Sequence, residues 1–565
     1  MEDQRAIPRR LMLVVSVVQW LLLFGLYKAI DLETWPSQSP LWLFPLWTIA
    51  IVTPLLFLLS VEVGNENRVL LSAGLFSFVL TLLAAYTGWQ SEPYDAFPVW
   101  GIAAAYILSM AIACFKALMY LQQYSAQLPM SYQVLFTFSW RNFLVLALAA
   151  VFVLVFWGIL LLWAALFEVI GIDFFSTIFA QDWFIFPLLG LASGLGIIVF
   201  RELTKVIDSI SNLLQGLIKL LLPLVIALAV VFLSSLPFTG LDILWATGRG
   251  TMLLLWLTAL ILFFSNAVYQ DGRGDAPYPD VAHKLIYCGL FVLPLLSALS
   301  FYGLWLRLDQ YGWTVSRCWG FLVWSVLTLF SGGYLWGIIK RGSSWPSALG
   351  RVNVYMGLAI LSLMLLTNSP LLDFRKISLS DQLARVDEGS VDWEDFDFFY
   401  VHEQLGRPGY LALEKLKADI GDSDPQLLAK IEDPQPLPFM FDEAKKQVFW
   451  DEAIFRPAGF EVPDKLRRLI ERKLVFMGTW PVVIFQVDLN DDSIFEYAVV
   501  QTRNDFYNGS LYYLEDDVWQ EKYLSIDPGS MQNADMERSL REGHINLIEP
   551  KYRNIQIGDI VLETN

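Results

Sequence analysis

Long apolar runs separated by short polar breaks make up the first two thirds of the chain. A helix needs about 20 mostly apolar residues to cross the hydrocarbon core of a membrane, and eleven runs reach that length. They cover residues 11–30, 41–61, 69–89, 98–121, 142–168, 183–200, 220–239, 251–270, 285–305, 318–339 and 352–371. The pattern changes from Asp373 onward. The sequence therefore predicts an α-helical polytopic membrane bundle over residues 1–371, followed by an α+β soluble domain.

The lysines and arginines between the runs predict the orientation of the bundle. With the N-terminus in the cytoplasm, fourteen basic residues up to position 370 fall on the cytoplasmic side and four on the other side. Because basic loops resist translocation, this asymmetry favours a cytoplasmic N-terminus. An odd number of spans then places residues 372–565 outside the cytoplasm, in the periplasm of a bacterium with two membranes.

Two patterns in the bundle concern helix packing. Residues 201–219 carry apolar side chains at helical spacing and predict an amphipathic helix on the cytoplasmic face. This helix either lies in the membrane interface or packs on the bundle as a connector. Gly190 and Gly194 are four positions apart, a spacing that favours close packing within the bundle over dimerisation.

The middles of the predicted spans contain very few ionisable side chains. Ion-coupled carriers usually need carboxylates or histidines inside the membrane, so the pattern disfavours a proton-driven carrier. A channel or transporter for a neutral or lipidic substrate stays open. Gln19 and Asn266 are the deeper polar residues, and one interhelical hydrogen bond for each explains them.

The formal net charge of −17 lies entirely in the soluble domain. Of the 56 acidic and 39 basic residues, positions 371–565 hold 38 and 21. Nucleic acid is therefore excluded as a partner, because phosphate backbones require a surplus of basic residues. The three cysteines all lie in apolar runs before residue 371, which excludes a disulfide framework in the soluble domain.

The soluble domain divides into two predicted subdomains. Residues 372–432 predict a small helical subdomain, in which Ser380 is the N-cap of a helix over 381–386 and further helices cover 398–405 and 410–420. A link rich in Asp and Pro, Gly421–Pro438, leads to a mixed α+β subdomain over 433–565.

Strand patterns and one helix organise the second subdomain. The predicted helix covers 463–473, and the predicted strands cover 481–487, 495–502, 511–514 and 518–524. The last two strands predict a hairpin. Asn508-Gly-Ser510 matches a glycosylation sequon, and we interpret it as a turn.

Several short motifs carry a resemblance to a known family. They are Ile377–Arg385, Gly389–Asp392, Phe396–Phe398, Leu405–Gly409, Ala412–Leu413, Pro237–Gly240 and Leu244–Gly248. Together they resemble the bacterial polytopic membrane proteins filed as domain of unknown function 4153. The resemblance implies the membrane architecture and supplies no chemistry. Arg385 and Arg407 either pair with neighbouring acids or bind a ligand.

One acidic turn predicts a candidate metal site. Asp488, Asn490, Asp492 and Glu496 follow a spacing that can bring oxygen ligands together on calcium, a hard cation. Ser493 stands where an EF-hand loop has glycine, and Val499 stands where that loop has its bidentate glutamate. The alternative is a polar hairpin turn with no bound metal. No catalytic residue and no other cofactor site is predicted.

Three functions remain open at this stage. The preferred one is a non-enzymatic inner-membrane sensor or scaffold of the bacterial envelope, whose acidic periplasmic domain binds an envelope protein and whose bundle contacts membrane lipids. A channel or transporter for a neutral or lipidic substrate is the alternative. A lipid-linked transferase is a further alternative, because Asp31 and Glu33 form an acidic pair in the first outer loop, although that loop spans only about ten residues.

Overall fold

The fold was obtained as a computed structural model. It describes residues 6–94, 96–241, 244–245, 249–270, 277–341, 345–393, 395–421, 424–432, 434, 449–451, 453–457, 459–463, 465–467, 469–470, 482–489, 494–503, 506–515, 518–524, 555–557 and 560–562. The chain divides into two compact units, Met1–Pro434 and Gln435–Asn565.

Helices make up the described part of the first unit. They are α1 (Arg9–Asp31), α2 (Pro40–Ser60), α3 (Glu66–Trp89), α4 (Trp100–Ser125), α5 (Tyr132–Val169), α6 (Phe174–Phe179), α7 (Asp182–Glu202), α8 (Thr204–Thr239), α9 (Gly250–Tyr269), α10 (Asp280–Gly289), α11 (Val292–Tyr311), α12 (Val315–Arg341), α13 (Pro346–Leu366), α14 (Phe374–Asp387), α15 (Phe398–Gln404), α16 (Gly406–Ile420) and α17 (Pro425–Glu432). A 3₁₀ turn, Pro370–Leu372, precedes α14.

Eleven of the described helices are long and apolar enough to cross a membrane. They are α1 to α5, α7 to α9 and α11 to α13. Each contains most of one predicted apolar run, so the predicted bundle of eleven spans is confirmed. The protein is a multi-pass membrane protein. Because the number of spans is odd, the chain leaves the bundle at the end opposite to the one where α1 begins, and we call the latter the N-terminal end.

Two spans extend well past the length that a membrane requires. α5 has 38 residues and α8 has 36, or about 57 and 54 Å at 1.5 Å per residue. The amphipathic segment 201–219 forms the end of α7 and the first half of α8, which continues without a break into the span. Ile207 is buried there in the bundle core, whereas Leu213 and Leu217 are exposed.

The bundle has two hydrophobic cores. One contains residues of α1 to α5 and α7, and the other contains residues of α9 to α12, while α8 and α13 contribute to both. In the first core, α7 packs tightly on α1, because a Cβ at Gly190 would lie 2.9 Å from Trp20 and one at Gly194 would lie 2.8 Å from Ser16. The Ser16 hydroxyl donates to the Gly190 carbonyl at 2.7 Å. The pair of glycines thus packs helices within the bundle, as predicted.

The deeper polar residues of the spans bond across helices. Gln19 of α1 donates to the Ile51 carbonyl of α2 at 3.2 Å. Asn266 of α9 accepts from Asn353 of α13 at 2.8 Å and from the hydroxyl of Tyr132. The predicted interhelical hydrogen bonds of both residues are confirmed.

Residues 374–432 form a small helical cluster around the buried side chains Phe396, Phe398, Val401, Leu405, Leu413 and Ile431. The predicted N-cap Ser380 is wrong, because the first helix begins six residues earlier at Phe374. Asp373 caps it by accepting a hydrogen bond from Arg375 N at 3.0 Å. The link Gly421–Pro438 is also not irregular throughout, since it contains α17, which adds Ile431 to the core. The whole cluster belongs to the same compact unit as the bundle.

The second unit contains a five-stranded mixed sheet in the order β1-β2-β3-β4-β5. The strands are β1 (Ile454–Arg456), β2 (Val482–Val487), β3 (Glu496–Arg503), β4 (Phe506–Glu515) and β5 (Val518–Tyr523), and a separate pair is formed by β6 (Ile555–Ile557) and β7 (Ile560–Leu562). β1 and β2 are parallel and the other neighbours are antiparallel, which confirms the predicted hairpin of β4 and β5. Within the predicted helix 463–473, residues 465–467 and 469–470 are described and helical.

The turn predicted at Asn508-Gly-Ser510 is wrong. These residues lie within β4, where Asn508 pairs with Gln501 and Ser510 pairs with Val499 of β3. The pairing of β3 with β4 extends instead to Arg503 and Phe506, which are partners. Burial of Tyr512 and Val499 in one shared core fixes the register of the two strands, which outweighs the local turn preference of Asn-Gly.

Candidate functional site

The helical cluster is attached to the bundle by polar contacts with two loops. The first loop joins α11 and α12. Its Trp313 N–H donates to Asp381 Oδ2 at 2.7 Å, and its Trp313 carbonyl accepts from Ser378 Oγ and Gln382 Nε2, each at 3.0 Å. The side chain of Arg385 donates to the Gln310 carbonyl of α11 at 3.1 Å. One face of α14 therefore supplies hydrogen-bond partners to backbone groups of this loop that would otherwise have none.

The second loop joins α3 and α4. Arg407 N–H donates to the Gln90 carbonyl at 3.0 Å, and the Arg407 guanidinium donates to the Glu92 carbonyl at 3.2 Å and lies over the Trp89 ring. Gly406 allows this approach, because its φ is +57° and a Cβ would lie 2.6 Å from Ile102. Both loops lie at the end of the bundle opposite to the N-terminal end.

Asp373 lies at the centre of the attachment, between the last span and α14. Its carboxylate accepts from the Tyr86 hydroxyl at 2.7 Å, from Gln90 Nε2 at 2.5 Å and from Arg375 N and Nε at 3.0 and 3.1 Å. The side chain is only 2% exposed. Burial raises the pKa of this carboxyl, but the charge of Arg375 and the hydrogen bonds from Tyr86 and Arg375 outweigh burial and hold the pKa below its ordinary value. Asp373 is therefore an anion that ties α3 to α14.

A second polar group, which is partly buried, orders the cluster itself. The Tyr400 hydroxyl accepts from Val315 N at 2.8 Å and lies 2.9 Å from Ser378 Oγ. Asp397 caps α15 by accepting from Tyr400 N at 2.8 Å. Burial raises the pKa of Asp397, although the Tyr400 N–H lowers it in part. Tyr400 thus connects α15, α14 and the first residue of α12.

The structure places the two predicted arginines in this attachment. Among the described residues, Arg385 and Arg407 donate to backbone carbonyls of the bundle and form no ion pair with the neighbouring acids that the sequence suggested. Sequence reasoning missed Asp373, Tyr86 and Gln90 altogether. The available signal was an acid directly after the last apolar run, together with a tyrosine and a glutamine near the end of the third run.

The acidic pair Asp31 and Glu33 lies at the end of α1 and just after it. Asp31 accepts from Lys28 at 2.8 Å, and the same ammonium group lies 2.8 Å from Asp182 of α7. Lys28 thus joins α1 to α7. Glu33 lies in the loop with a φ of +50°. Among the described residues, no group of three His, Cys, Asp or Glu side chains is placed to hold a metal ion.

The candidate calcium ligands fall partly outside the described residues. Asp488 follows β2, and Glu496 begins β3 opposite Val487. Glu496 is buried, and one of its carboxylate oxygens accepts from Leu489 N at 2.8 Å. Asn490 and Asp492 lie outside the described part of the chain. The calcium site stays a prediction.

Comparison with known proteins gives one match. A model of the family described as Domain of unknown function (DUF4153) matches residues 46–416. The chain belongs to this family. No curated protein and no solved structure matches the chain. The family suspected from the short motifs is thereby confirmed.

The region matched by DUF4153 covers most of the bundle and most of the helical cluster. It extends from α2 through the bundle and the helical cluster into α16, whereas the sheet unit lies outside it. Several residues of the motifs form the attachment, namely Ser378, Asp381, Gln382, Arg385, Gly406 and Arg407. Trp245, in the motif Leu244–Gly248, packs closely on α11, because a Cβ at Gly303 would lie 2.4 Å from its ring. The motifs of the resemblance thus include packing and docking residues.

Proposed function

We propose that this DUF4153 protein is a non-enzymatic sensor or scaffold of the bacterial inner membrane. Its acidic C-terminal region binds an envelope protein in the periplasm. Binding moves the helical cluster, and this movement changes the positions of the spans that contact it. The attachment centred on Asp373 carries this proposal. Polar contacts with two loops, including the buried bond between Gln90 and Asp373, hold the cluster to the bundle. A displacement of α14 therefore has to move α3 or α12 or break those contacts.

Charge defines the kind of partner. Residues 371–565 carry 38 acidic and 21 basic side chains, so a protein with a basic surface is attracted and anionic lipid surfaces are repelled. The partner is therefore a protein with a basic patch. Electrostatic attraction of this type makes the complex sensitive to salt.

The polar residues inside the spans do not favour the alternative of a transporter. Asn266, Asn353, Tyr132 and Tyr334 bond to one another across four helices, which accounts for them as packing contacts. Flux of a neutral or lipidic substrate in proteoliposomes would support the transporter instead.

Orientation is tested first. A reporter that is active only outside the cytoplasm should be active when fused after Asn565 and inactive when inserted within Gly272–Pro279. Activity at Gly272–Pro279 would overturn the periplasmic placement.

The coupling between partner binding and movement of the helical cluster is tested on the full chain in mild detergent. A complex with the envelope partner should dissociate with salt and should change hydrogen exchange in the loop 312–314 and in α14. The variant Asp373→Asn should keep the complex and lose the change in exchange, because it weakens the attachment and removes only one buried side chain from the 38 acids of residues 371–565. A matched variant, Asp309→Asn near the end of α11, should behave as the unmodified chain. Binding that leaves exchange in α14 unaltered in the unmodified chain would contradict the sensor.

A further inference from the structure

A cavity of about 820 Å³ opens at the N-terminal end of the bundle. It lies among the ends of α1, α2, α4, α5, α7 and α8, far along the spans from the attachment of the helical cluster. Its lining includes three arginines, two glutamates, three amides, one serine and one threonine, together with apolar side chains. A cavity of this size accommodates a small amphiphilic ligand.

Two of the arginines differ from the third in their partners. Arg9 forms a two-pronged ion pair with Glu202, at 2.6 and 2.8 Å. Arg201 donates to the Leu58 carbonyl at 2.6 Å, and Arg141 donates to the Arg201 carbonyl at 3.2 Å. Within the described part of the chain, neither Arg141 nor Arg201 forms an ion pair with a carboxylate. Two guanidinium groups whose charge is not neutralised in this way therefore line one cavity.

A buried hydroxyl lines the same cavity. Ser60 is 5% exposed, and within the described residues its Oγ has no hydrogen-bond partner. The nearby amides differ, because Asn142 donates to Gln122 at 2.8 Å and Gln122 donates to Asn142 at 3.0 Å and to the Leu59 carbonyl at 2.9 Å. A buried hydroxyl without a partner costs free energy, so Ser60 is a donor to be satisfied by a ligand.

We propose that this cavity binds a phosphate group, carried either by a lipid headgroup or by a free phosphate. Guanidinium groups match the geometry of phosphate oxygens and stay charged, and Arg201 and Arg141 supply two of them. Ser60 adds a neutral donor. Glu62 and Glu202 also line the cavity, and Glu202 is occupied by Arg9. Ile7, Leu128 and Phe138 line the wall and provide contact for acyl or glycerol carbons.

The proposal is independent of the sensor function. The residues belong to the opposite end of the bundle, and none of them contributes to the attachment of the helical cluster. A failure of either proposal leaves the other standing.

The test uses the full chain in a mild non-ionic detergent. Three probes are compared by equilibrium binding and by thermal melting: short-chain phosphatidic acid, the matching diacylglycerol, and inorganic phosphate. Arg201→Gln and Arg141→Gln each remove one guanidinium from the cavity. Arg10→Gln is the matched control, because Arg10 is exposed beside Arg9 and does not line the cavity.

Phosphatidic acid should bind the unmodified chain and the Arg10 variant equally, and either cavity variant should weaken binding by about tenfold or more, as expected for loss of a charge-assisted contact. Inorganic phosphate that competes with the lipid assigns the site to free phosphate, and lipid binding without such competition assigns it to a headgroup. Equal binding of diacylglycerol, or equal binding by all variants, would overturn the proposal. Should Arg201→Gln fail to fold, Arg141→Gln and Ser60→Ala decide the result by the same comparison.

Discussion

The hydroxyl of Tyr86 donates a hydrogen bond to Asp373 Oδ2 at 2.7 Å, across 287 positions of the sequence. Tyr86 lies near the end of the third span, and Asp373 caps the first helix after the last span. This bond therefore closes the bundle against the segment that follows it.

Removing the Tyr86 hydroxyl tests how much this hydrogen bond contributes to the stability of the folded protein. Tyr86→Phe keeps the ring and leaves a buried carboxylate with one donor fewer, so we expect the free energy of unfolding to fall by about 1–3 kcal/mol. Thermal melting of the full chain in detergent measures the change. Tyr94→Phe is the control, because Tyr94 is 57% exposed in the next loop. Equal melting of both variants would show that the bond contributes nothing.

Acid should loosen the same attachment. The pKa of Asp373 lies below its ordinary value in the folded protein, so its contribution to stability is complete above the pKa of the unfolded chain, near 4, and is lost as pH falls through the folded value. The protection of α14 against hydrogen exchange, taken relative to the intrinsic exchange rate at each pH, should therefore be constant from pH 7 to 5 and should fall below about pH 4. Asp373→Asn should show faster exchange in α14 at neutral pH and a weaker dependence on acid. An attachment that loosens instead between pH 5 and 7 would point to a different group.

Close packing of α1 on α7 should depend on two glycines. Gly194→Ala places a Cβ 2.8 Å from Ser16, so we expect the free energy of unfolding to fall by roughly 1–3 kcal/mol. Gly158→Ala is the matched control, because no atom lies within 4 Å of a Cβ there. Melting curves compare the two. A changed oligomeric state with unchanged stability would favour dimerisation through this motif.

Calcium binding at Asp488, Asn490, Asp492 and Glu496 has a thermodynamic signature. A ligand that binds only the folded state stabilises it by about 2.7 kcal/mol at a hundredfold excess over Kd. Calcium should then raise the melting temperature of the sheet unit, chelator should reverse the effect, and Asp488→Ala should abolish it. An equal shift with magnesium, or a shift that survives Asp488→Ala, would leave a polar turn as the correct interpretation.

The spans could be predicted because their signal is local. A run of twenty apolar residues has few alternatives to a membrane helix, and every predicted run lies largely inside one observed span. Ends were harder to predict, since α5 begins ten residues before its predicted start, in a mixed polar and aromatic segment. The helical cluster was misjudged at Ser380 for a related reason. Its true cap, Asp373, accepts from the backbone N–H of Arg375, and its further bonds with Tyr86 and Gln90 are not visible in the local sequence.

The sites were harder still, because they are assembled from distant residues. Ser60, Gln122, Arg141 and Arg201 lie on four helices and meet only in the folded bundle. In the sequence, Arg141 and Arg201 count as cytoplasmic charges flanking apolar runs. The rule that predicts orientation counts basic residues by position and does not distinguish a side chain that faces water from one that lines a cavity.

The attachment at Asp373 and Arg407 also has a consequence for how the sequences of family members vary. A change of Tyr86 or Gln90 alone leaves a buried carboxylate short of a donor, and a change of Asp373 alone leaves those donors without their acceptor. Compensating pairs of substitutions should therefore appear among members of the family, coupling the third span to the segment after the last one. The sheet unit lies beyond the matched residues and, within the described part of the chain, contributes no residue to these pairs, so the pairs place no constraint on its sequence.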